Sequence, residues 1–472
     1  MPSRSRFNRS AEPSPIHAPS RRIYERSLIP VGMATILPHT ALRVRHLEDV
    51  LLTTLSEWGY QEIIPPTFEY LDVLAAGLEP DLIEKCYKFS DRTTGRILLL
   101  RPDVTAQIAR IVAMGMVEST LPLRLCYRTT VFRYEPEHAG REREIFQVGA
   151  ELIGADDVTT DGEIIALMIE SLKRLHLPGF KISLGHVGFF KALLMRTGMS
   201  SEGRKRAEQA ASKKDIPKLE EIMKEERVSA AQARAILEAP GLYGQSEVLE
   251  RGKDLAGRDR ELRRTLQRLS EVYRLLESSG FKNHLLLDLG EFRGFDYYDG
   301  IVFDVFAEGL GCELGGGGRY NHLIGRFGRD LPSTGFAFDV DRLFRAMESV
   351  DDGPAAQRTD VLLSASPRDS GRVFELSRRL RESGLRVVQG TLTEPGENAL
   401  RAALHEGHRL GVSAVALVGH TNVPPDEVLL LISASRVFMN SDGSIAAVES
   451  KRLKIKDLLS LRQLVQPPCK ER

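Results

Sequence analysis

"FRYEPEHAGREREIFQVGAELIG", residues 132–154, is the stretch on which the reading of this chain turns. Two apolar runs enclose the loop "PEHAGRER", which holds Pro136 and Gly140, residue types that suit a turn. The upstream run, "LRLCYRTTVFRYE", ends at Glu135, and the return run, "IFQVGAELIG", ends at Gly154. The spacing predicts a long β-hairpin. By the period of two, Arg133 and Glu135 share one face of the outgoing strand, and Gln147, Gly149 and Glu151 share one face of the return strand. A sheet face carrying Arg, Glu, Gln and Glu is not core. It reads as the polar floor of a site.

Upstream, Leu47, Val50, Leu51, Leu55 and Trp58 mark one face of a helix that Gly59 ends. "QEIIPP" reads as a strand, and Pro65-Pro66 place it at an edge or an interface, because proline cannot donate to a ladder. "RILLLRPDVT" reads as a buried strand ending in a charged cluster at Arg101 and Asp103. Downstream, residues 155–176 suit a helix, and about 198–280 form a charged helical insertion. Strands return in "NHLLLDLGEFRGFDYYDGIVFDVF". "GCELGGGGRYNHLIGRFG" then reads as a glycine run leading to a helix. "GFAFDVDRLF", residues 335–344, suits a strand, a turn, and a helix starting near Arg342. Asp339 and Asp341 before it are either helix-capping acids or the remains of a nucleotide site.

The expected domains are a disordered tail over 1–25, a core over 26–347, a Gly/Pro/Asp linker over 348–359, and a small α/β domain over 360–472. The 472 residues suffice for two or three cores. With 42% apolar and 28% charged residues the chain is an ordinary globular mix, and no apolar run reaches membrane-span length. Lys+Arg and Asp+Glu both number 65, so whole-chain charge does not support tight nucleic-acid or anionic-membrane binding. Cys86, Cys126, Cys312 and Cys469 lie far apart, without metal or redox spacing, which fits a reducing compartment. His405 and His408 are too few ligands for a metal centre. No metal and no cofactor is expected, and the expected location is cytoplasmic.

Four polar clusters fall at strand ends or on sheet faces: Arg101/Asp103/Thr105, Arg133/Glu135/Gln147/Glu151, Arg293/Asp296/Tyr297/Tyr298, and Gly315–Arg319 with Tyr320. Each alone has an ordinary structural reading. The glycine run could be a turn, the Arg–Glu pair a surface ion pair, and the tyrosines core rings. It is not a P-loop, since no Lys-Ser/Thr follows. Together they suggest a small-molecule pocket. Asp103 and Glu151 can hold an ammonium, Arg133 and Arg293 a carboxylate or phosphate, and Tyr298 and Tyr320 can close on an aromatic ring. That inventory suits an amino acid.

Several of these segments resemble the class II aminoacyl-tRNA synthetases in their histidyl form. The opening hairpin is similar to motif 2, "EIIPPTFE" to motif 1, "LRPDVTAQIAR" to the histidyl "LRPEGTA" segment, "RGFDYYDGIVFDVF" to the histidyl "RGLDYY" motif, and "GFAFDVDRL" to motif 3. The resemblance covers about residues 26–346 and implies an α+β fold. Its core would be an antiparallel sheet of six or seven strands flanked by helices, with a helical insertion and an anticodon-binding-like α/β domain at the C-terminus. By resemblance, Asp103, Thr105, Gln147 and Glu151 would hold the amino group and imidazole side of histidine. Tyr297, Tyr298 and Tyr320 would line the imidazole pocket. Arg293 matches the arginine that promotes adenylate formation, and Arg133 the one that contacts the ATP α-phosphate.

The departures fall mostly on the ATP side. Asp103-Val104-Thr105 replaces Glu-Gly-Thr, Pro136 replaces an expected arginine, and Asp339 stands where motif 3 has a glycine; Asp341-Arg342 keep its acid–arginine pair. Two unit charges a few Å apart interact by roughly 4 kcal/mol at an effective dielectric near 20, enough to oppose a polyanion. Pro136, Asp339 and Arg342 thus mark a degenerate ATP site. The pattern is similar to the regulatory-subunit family of ATP phosphoribosyltransferase, a non-catalytic paralogue. That family implies a short-form catalytic ATP phosphoribosyltransferase as partner, L-histidine as feedback effector, and a homodimer within a hetero-oligomer, without membrane or tRNA. The alternatives are an active histidyl-tRNA synthetase, favoured by Arg293 and the C-terminal domain, and a tRNA-binding module. Phe374 and Phe438 are the only aromatics of that domain, a sparse set for reading RNA bases.

Overall fold

The computed structural model describes residues 29–134, 143–290, 297–347, 359–391, 397–420 and 423–433, with 435, 437–440, 444–446, 448–455 and 457. The tail over 1–25, Pro136, Arg293, Asp296 and linker residues 348–358 lie outside the described residues. The chain divides into two units, Met1–Asp352 and Gly353–Arg472.

The strands of the first unit are β1 (Gln61–Glu62), β2 (Phe68–Tyr70), β3 (Lys88–Ser90), β4 (Ile97–Leu100), β5 (Leu123–Phe132), β6 (Glu144–Ile153), β7 (Lys181–His186), β8 (Tyr243–Gly244), β9 (Leu285–Asp288), β10 (Ile301–Phe306), β11 (Gly315–Arg319) and β12 (Ser333–Asp339). Nine of them make one sheet, in the order β1-β5-β6-β12-β11-β10-β7-β9-β8, and β2-β4-β3 make a small one. From β5 to β7 every pairing is antiparallel. Parallel pairings of β1 with β5 and of β7 with β9 flank that stretch. The expected antiparallel sheet is therefore the middle of a larger, mixed one.

Helices α1 (Pro38–Glu57), α2 (Leu71–Leu74), α3 (Pro80–Glu84), α4 (Val104–Gly115) and α5 (Val158–Arg174) precede a helical run. The run comprises α6 (Val187–Met195), α7 (Ser201–Ser212), α8 (Ile216–Glu225), α9 (Ala230–Glu238), α10 (Glu247–Ala256) and α11 (Arg260–Ser278), and α12 (Val340–Met347) follows β12. Local sequence explains the short helices of the run. Ser200, Asp215, Ser229 and Asp259 each accept an N–H from the first turn that follows them. In α11, Leu262, Leu266, Leu269, Tyr273 and Leu276 recur at helical spacing and are buried, so packing adds to the caps.

Alternation along β5 and β6 separates the two faces of the sheet. Cys126, Val148, Ala150 and Leu152 enter the core shared with α1 and α5. Leu125 and Tyr127 enter the opposite core, with α4 residues and Tyr297, Tyr298 and Tyr320. Gln147, Gly149 and Glu151 alternate with Val148, Ala150 and Leu152, so they lie on this second face.

Three expectations change. Arg101 is buried and donates from Nε to the Thr130 carbonyl (2.6 Å) and from Nη1 to the Pro65 (2.9 Å) and Pro66 (3.3 Å) carbonyls. It ties the proline segment to the sheet and belongs to no ligand cluster. The glycine run is strand β11, paired on both sides, rather than a turn. In "GFAFDVDRLF" strand β12 passes into α12 with no separate turn, because Asp339 accepts the Arg342 N–H at 3.1 Å and caps the helix.

The second unit contains β13 (Val361–Ala365), α13 (Ser370–Glu382), β14 (Val387–Thr391), α14 (Glu397–Leu410), β15 (Ala414–Val418), β16 (Glu427–Ile432) and β17 (Glu449–Lys454). Their sheet order is β14-β13-β15-β16-β17, with β13 parallel to both β14 and β15. Strand β17, "ESKRLK", has no apolar alternation to announce it, and only its pairing with β16 reveals it. Among the described residues no helix is long and apolar enough to cross a membrane.

Candidate functional site

A cavity of about 140 Å³ opens on the second face of the large sheet, over β6, β11 and β12. Asp103, Thr105, Arg133, Gln147, Tyr297, Tyr298 and Tyr320 line it, and so do Asp339 and Arg342. Distant parts of the sequence thus meet where the reading of the hairpin placed a polar floor.

Glu151 does not itself line the cavity; it is 1% exposed and lies behind the lining residues Thr105 and Tyr320. It accepts hydrogen bonds from the Thr105 hydroxyl (2.8 Å) and the Tyr320 hydroxyl (2.5 Å). Across the ladder it pairs with Gly335, where a Cβ would lie 1.7 Å from Glu151 Oε2. Glycine at that position makes room for the carboxylate. Burial pushes the Glu151 pKa up to about 8; the two hydroxyls oppose the rise and Asp103 adds to it.

Asp103 is the N-cap of α4 and accepts the Ala106 N–H at 2.8 Å. Burial raises its pKa, and Arg133, whose Nη2 lies 3.8 Å from Asp103 Oδ2, opposes that rise. Arg133 is itself positioned by an Nε–H donated to the Pro102 carbonyl at 2.7 Å. The Tyr297 ring stands 4.7 Å from Tyr298 and 5.9 Å from Tyr320, centroid to centroid. Burial lifts the Tyr297 and Tyr320 phenols well above their ordinary range, so they stay neutral.

Around Asp339 and Arg342 the lining is electrostatically different. Arg342 donates from Nη1 to Glu313 Oε1 (2.7 Å) and to the Glu313 carbonyl (2.8 Å), and its Nε is 3.0 Å from Asp339 Oδ2. Asp339 caps α12, as the first reading expected, and it also lines the cavity. Burial raises its pKa against the pull of Arg342.

Among the polar lining residues, sequence reasoning missed Tyr127 and Glu313. Tyr127 faces Gly149 across the hairpin, and a Cβ at Gly149 would lie 2.4 Å from the Tyr127 hydroxyl. The alternation that exposed Glu151 also places Tyr127 on this face. Glu313 precedes β11, and no local pattern marks it. Arg319, grouped with Tyr320 in the sequence, points away to Asp161 instead (2.7 Å). Glu135, Pro136, Arg293 and Asp296 lie outside the described residues.

Residues 32–343 match the family described as histidyl-tRNA synthetase. An ATP phosphoribosyltransferase regulatory subunit of Geobacter sulfurreducens is 36% identical over 418 residues, 89% of this chain and 92% of that protein. One from Moorella thermoacetica is 40% identical over 79% of this chain and 95% of its own. A crystal structure of an ATP phosphoribosyltransferase regulatory subunit/histidyl-tRNA synthetase from Bacillus halodurans superposes with a TM-score of 0.70 at 30% identity, covering 79% of this chain and 95% of that one. A histidyl-tRNA synthetase from Nostoc, 19% identical with a TM-score of 0.69 over 92% of this chain and 97% of that one, shares the fold. The 418 residues matched in Geobacter exceed the 352 of the first unit, so that likeness extends into the second. The chain belongs to the histidyl-tRNA synthetase-like family and, within it, to the ATP phosphoribosyltransferase regulatory subunits.

Proposed function

We propose that this chain is a non-catalytic regulatory subunit that activates a short-form ATP phosphoribosyltransferase and binds L-histidine as its feedback signal. The observation that carries this reading is the asymmetry of one cavity. One part of its lining offers Asp103, Thr105 and three tyrosines, with Glu151 held behind them by the Thr105 and Tyr320 hydroxyls, groups suited to an ammonium and an imidazole. Beside Gln147, which pairs with Asp339 across the ladder, the Glu313 and Asp339 carboxylates engage Arg342, a poor setting for a triphosphate. The relatives' names supply the catalytic partner, and the proposed setting is a homodimer within a cytoplasmic hetero-oligomer, without tRNA. Feedback then requires histidine to prefer one state of that assembly.

The test is ATP–pyrophosphate exchange in the presence of L-histidine. The expected outcome is no exchange above background, together with saturable binding of L-histidine by calorimetry. Robust exchange would instead assign the chain as an active synthetase.

Binding should also move a proton. Burial pushes the Glu151 pKa up to about 8, against an ordinary value of 4.5, so without a cationic partner it is mostly protonated at pH 7. A bound cationic group or N–H donor favours the carboxylate and expels that proton. At pH 7 the heat of histidine binding is therefore expected to depend on the ionisation heat of the buffer, with the Glu151 contribution fading as pH rises past about 8. The sign for folding follows from the same values. Between 4.5 and about 8 the folded chain without ligand holds more protons at Glu151 than the unfolded chain does. This group's contribution to stability therefore falls as pH rises through that window and is flat above it.

A further inference from the structure

Glu313 precedes strand β11 and has no counterpart in the histidine-contacting set, yet it makes the shortest contact to Arg342 (2.7 Å). Its position is fixed by backbone. Leu314 N–H donates to the Val305 carbonyl at 2.8 Å, and the Leu314 carbonyl accepts the Asp339 N–H at 2.9 Å. These bonds set Glu313 beside the start of α12. The Arg342 guanidinium consequently meets one acid from the β11 approach and one from the end of β12, with a backbone carbonyl as a further acceptor. A guanidinium needs unengaged N–H groups to grip phosphate oxygens in its fork geometry. Both carboxylates also line the same cavity and repel phosphate directly.

We infer that Glu313 is a specificity-determining residue: with Asp339 it clamps Arg342 and so keeps nucleoside triphosphates out of a cavity that admits an amino acid. This rests on the reading of the cavity as an amino-acid pocket. Arg342 and Glu313 are only partly buried, so loosening the clamp should leave the chain folded. Glu313→Gln removes charge without changing shape, and Asp339→Asn retains a capping oxygen for α12.

The experiment titrates Mg²⁺–ATP into the full chain by calorimetry, for the parent, each single variant and the double variant, with circular dichroism as the folding control. The expected result is at least a tenfold gain in ATP affinity for the double variant and a smaller gain for Glu313→Gln. Adding Arg342→Ala to the double variant should abolish the gain. ATP affinity of the folded double variant within twofold of the parent overturns the inference, as does tight ATP binding by the parent. If the double variant does not fold, Glu313→Gln carries the test, and no gain in it overturns the inference. A parallel titration of the parent with L-histidine separates the two claims, since its failure falls on the pocket reading alone.

Discussion

Glu151→Gln is expected to weaken L-histidine binding by roughly ten- to hundredfold while raising the stability of the chain without ligand at pH 7, because glutamine need not take up a proton on folding. Without a cationic partner Glu151 is mostly neutral at pH 7, so a neutral amide of the same shape copies that state. Thr105 and Tyr320 bond different oxygens of Glu151, so in the amide one hydroxyl keeps an oxygen acceptor and the other turns to accept from the NH2 group. What glutamine cannot do is ionise toward a bound cation. A hydrogen bond to a charged group contributes about 1.5–3 kcal/mol, which sets the expected range. Calorimetric titration gives the affinity, and a thermal melt without ligand gives the stability. The buffer dependence of the heat that arises from Glu151 should vanish in the same variant. Unchanged affinity would mean that Glu151 is structural and that the ligand sits elsewhere.

Much of this site was legible because strand periodicity is a strong signal. One hairpin placed Gln147, Gly149 and Glu151 on a common face, and the register of β5 with β6 reproduces that face. Motif resemblance then joined Asp103, Thr105 and the tyrosines to it, although nearly two hundred residues separate Asp103 from Tyr297. Composition could not have done so. Arg101 was misread because charge beside a strand end looks alike whether it meets a ligand or backbone carbonyls; only its burial against Pro65 and Pro66 distinguishes them. Arg319 was misread for the complementary reason. Its neighbour Tyr320 faces the cavity, and consecutive residues at a strand end point to opposite sides. Glu313 left no trace at all, because its role depends on which strands lie beside β11, a non-local fact.

Asp161→Ala is expected to destabilise the first unit by about 3–5 kcal/mol, the largest stability effect among these substitutions. Asp161 is 1% exposed and takes Arg319 Nε–H on Oδ1 (2.7 Å) and Arg268 on Oδ2 (Nε 3.0 Å, Nη2 2.8 Å). Arg319 is 3% exposed, so without this acid a buried guanidinium keeps only the Ala155 carbonyl and Asn321 Oδ1, each at 3.0 Å, with the half-exposed Asp156 at 3.5 Å. Arg268 is a quarter exposed and can turn to water, so the loss falls mainly on Arg319. His186 does not compensate: burial, then Arg268, push its pKa down to about 4, so it stays neutral and accepts the Gly188 N–H. Chemical denaturation gives the check, and a loss below about 1 kcal/mol would show that Arg319 finds another partner. The consequence also extends to function. Arg268 lies in α11 and Arg319 precedes Tyr320, whose hydroxyl reaches Glu151, so one carboxylate ties the helical run to the floor of the pocket. The milder Asp161→Asn should therefore reduce histidine affinity even at temperatures where the chain remains folded, whereas a purely local defect would lower the melting point and leave the affinity unchanged.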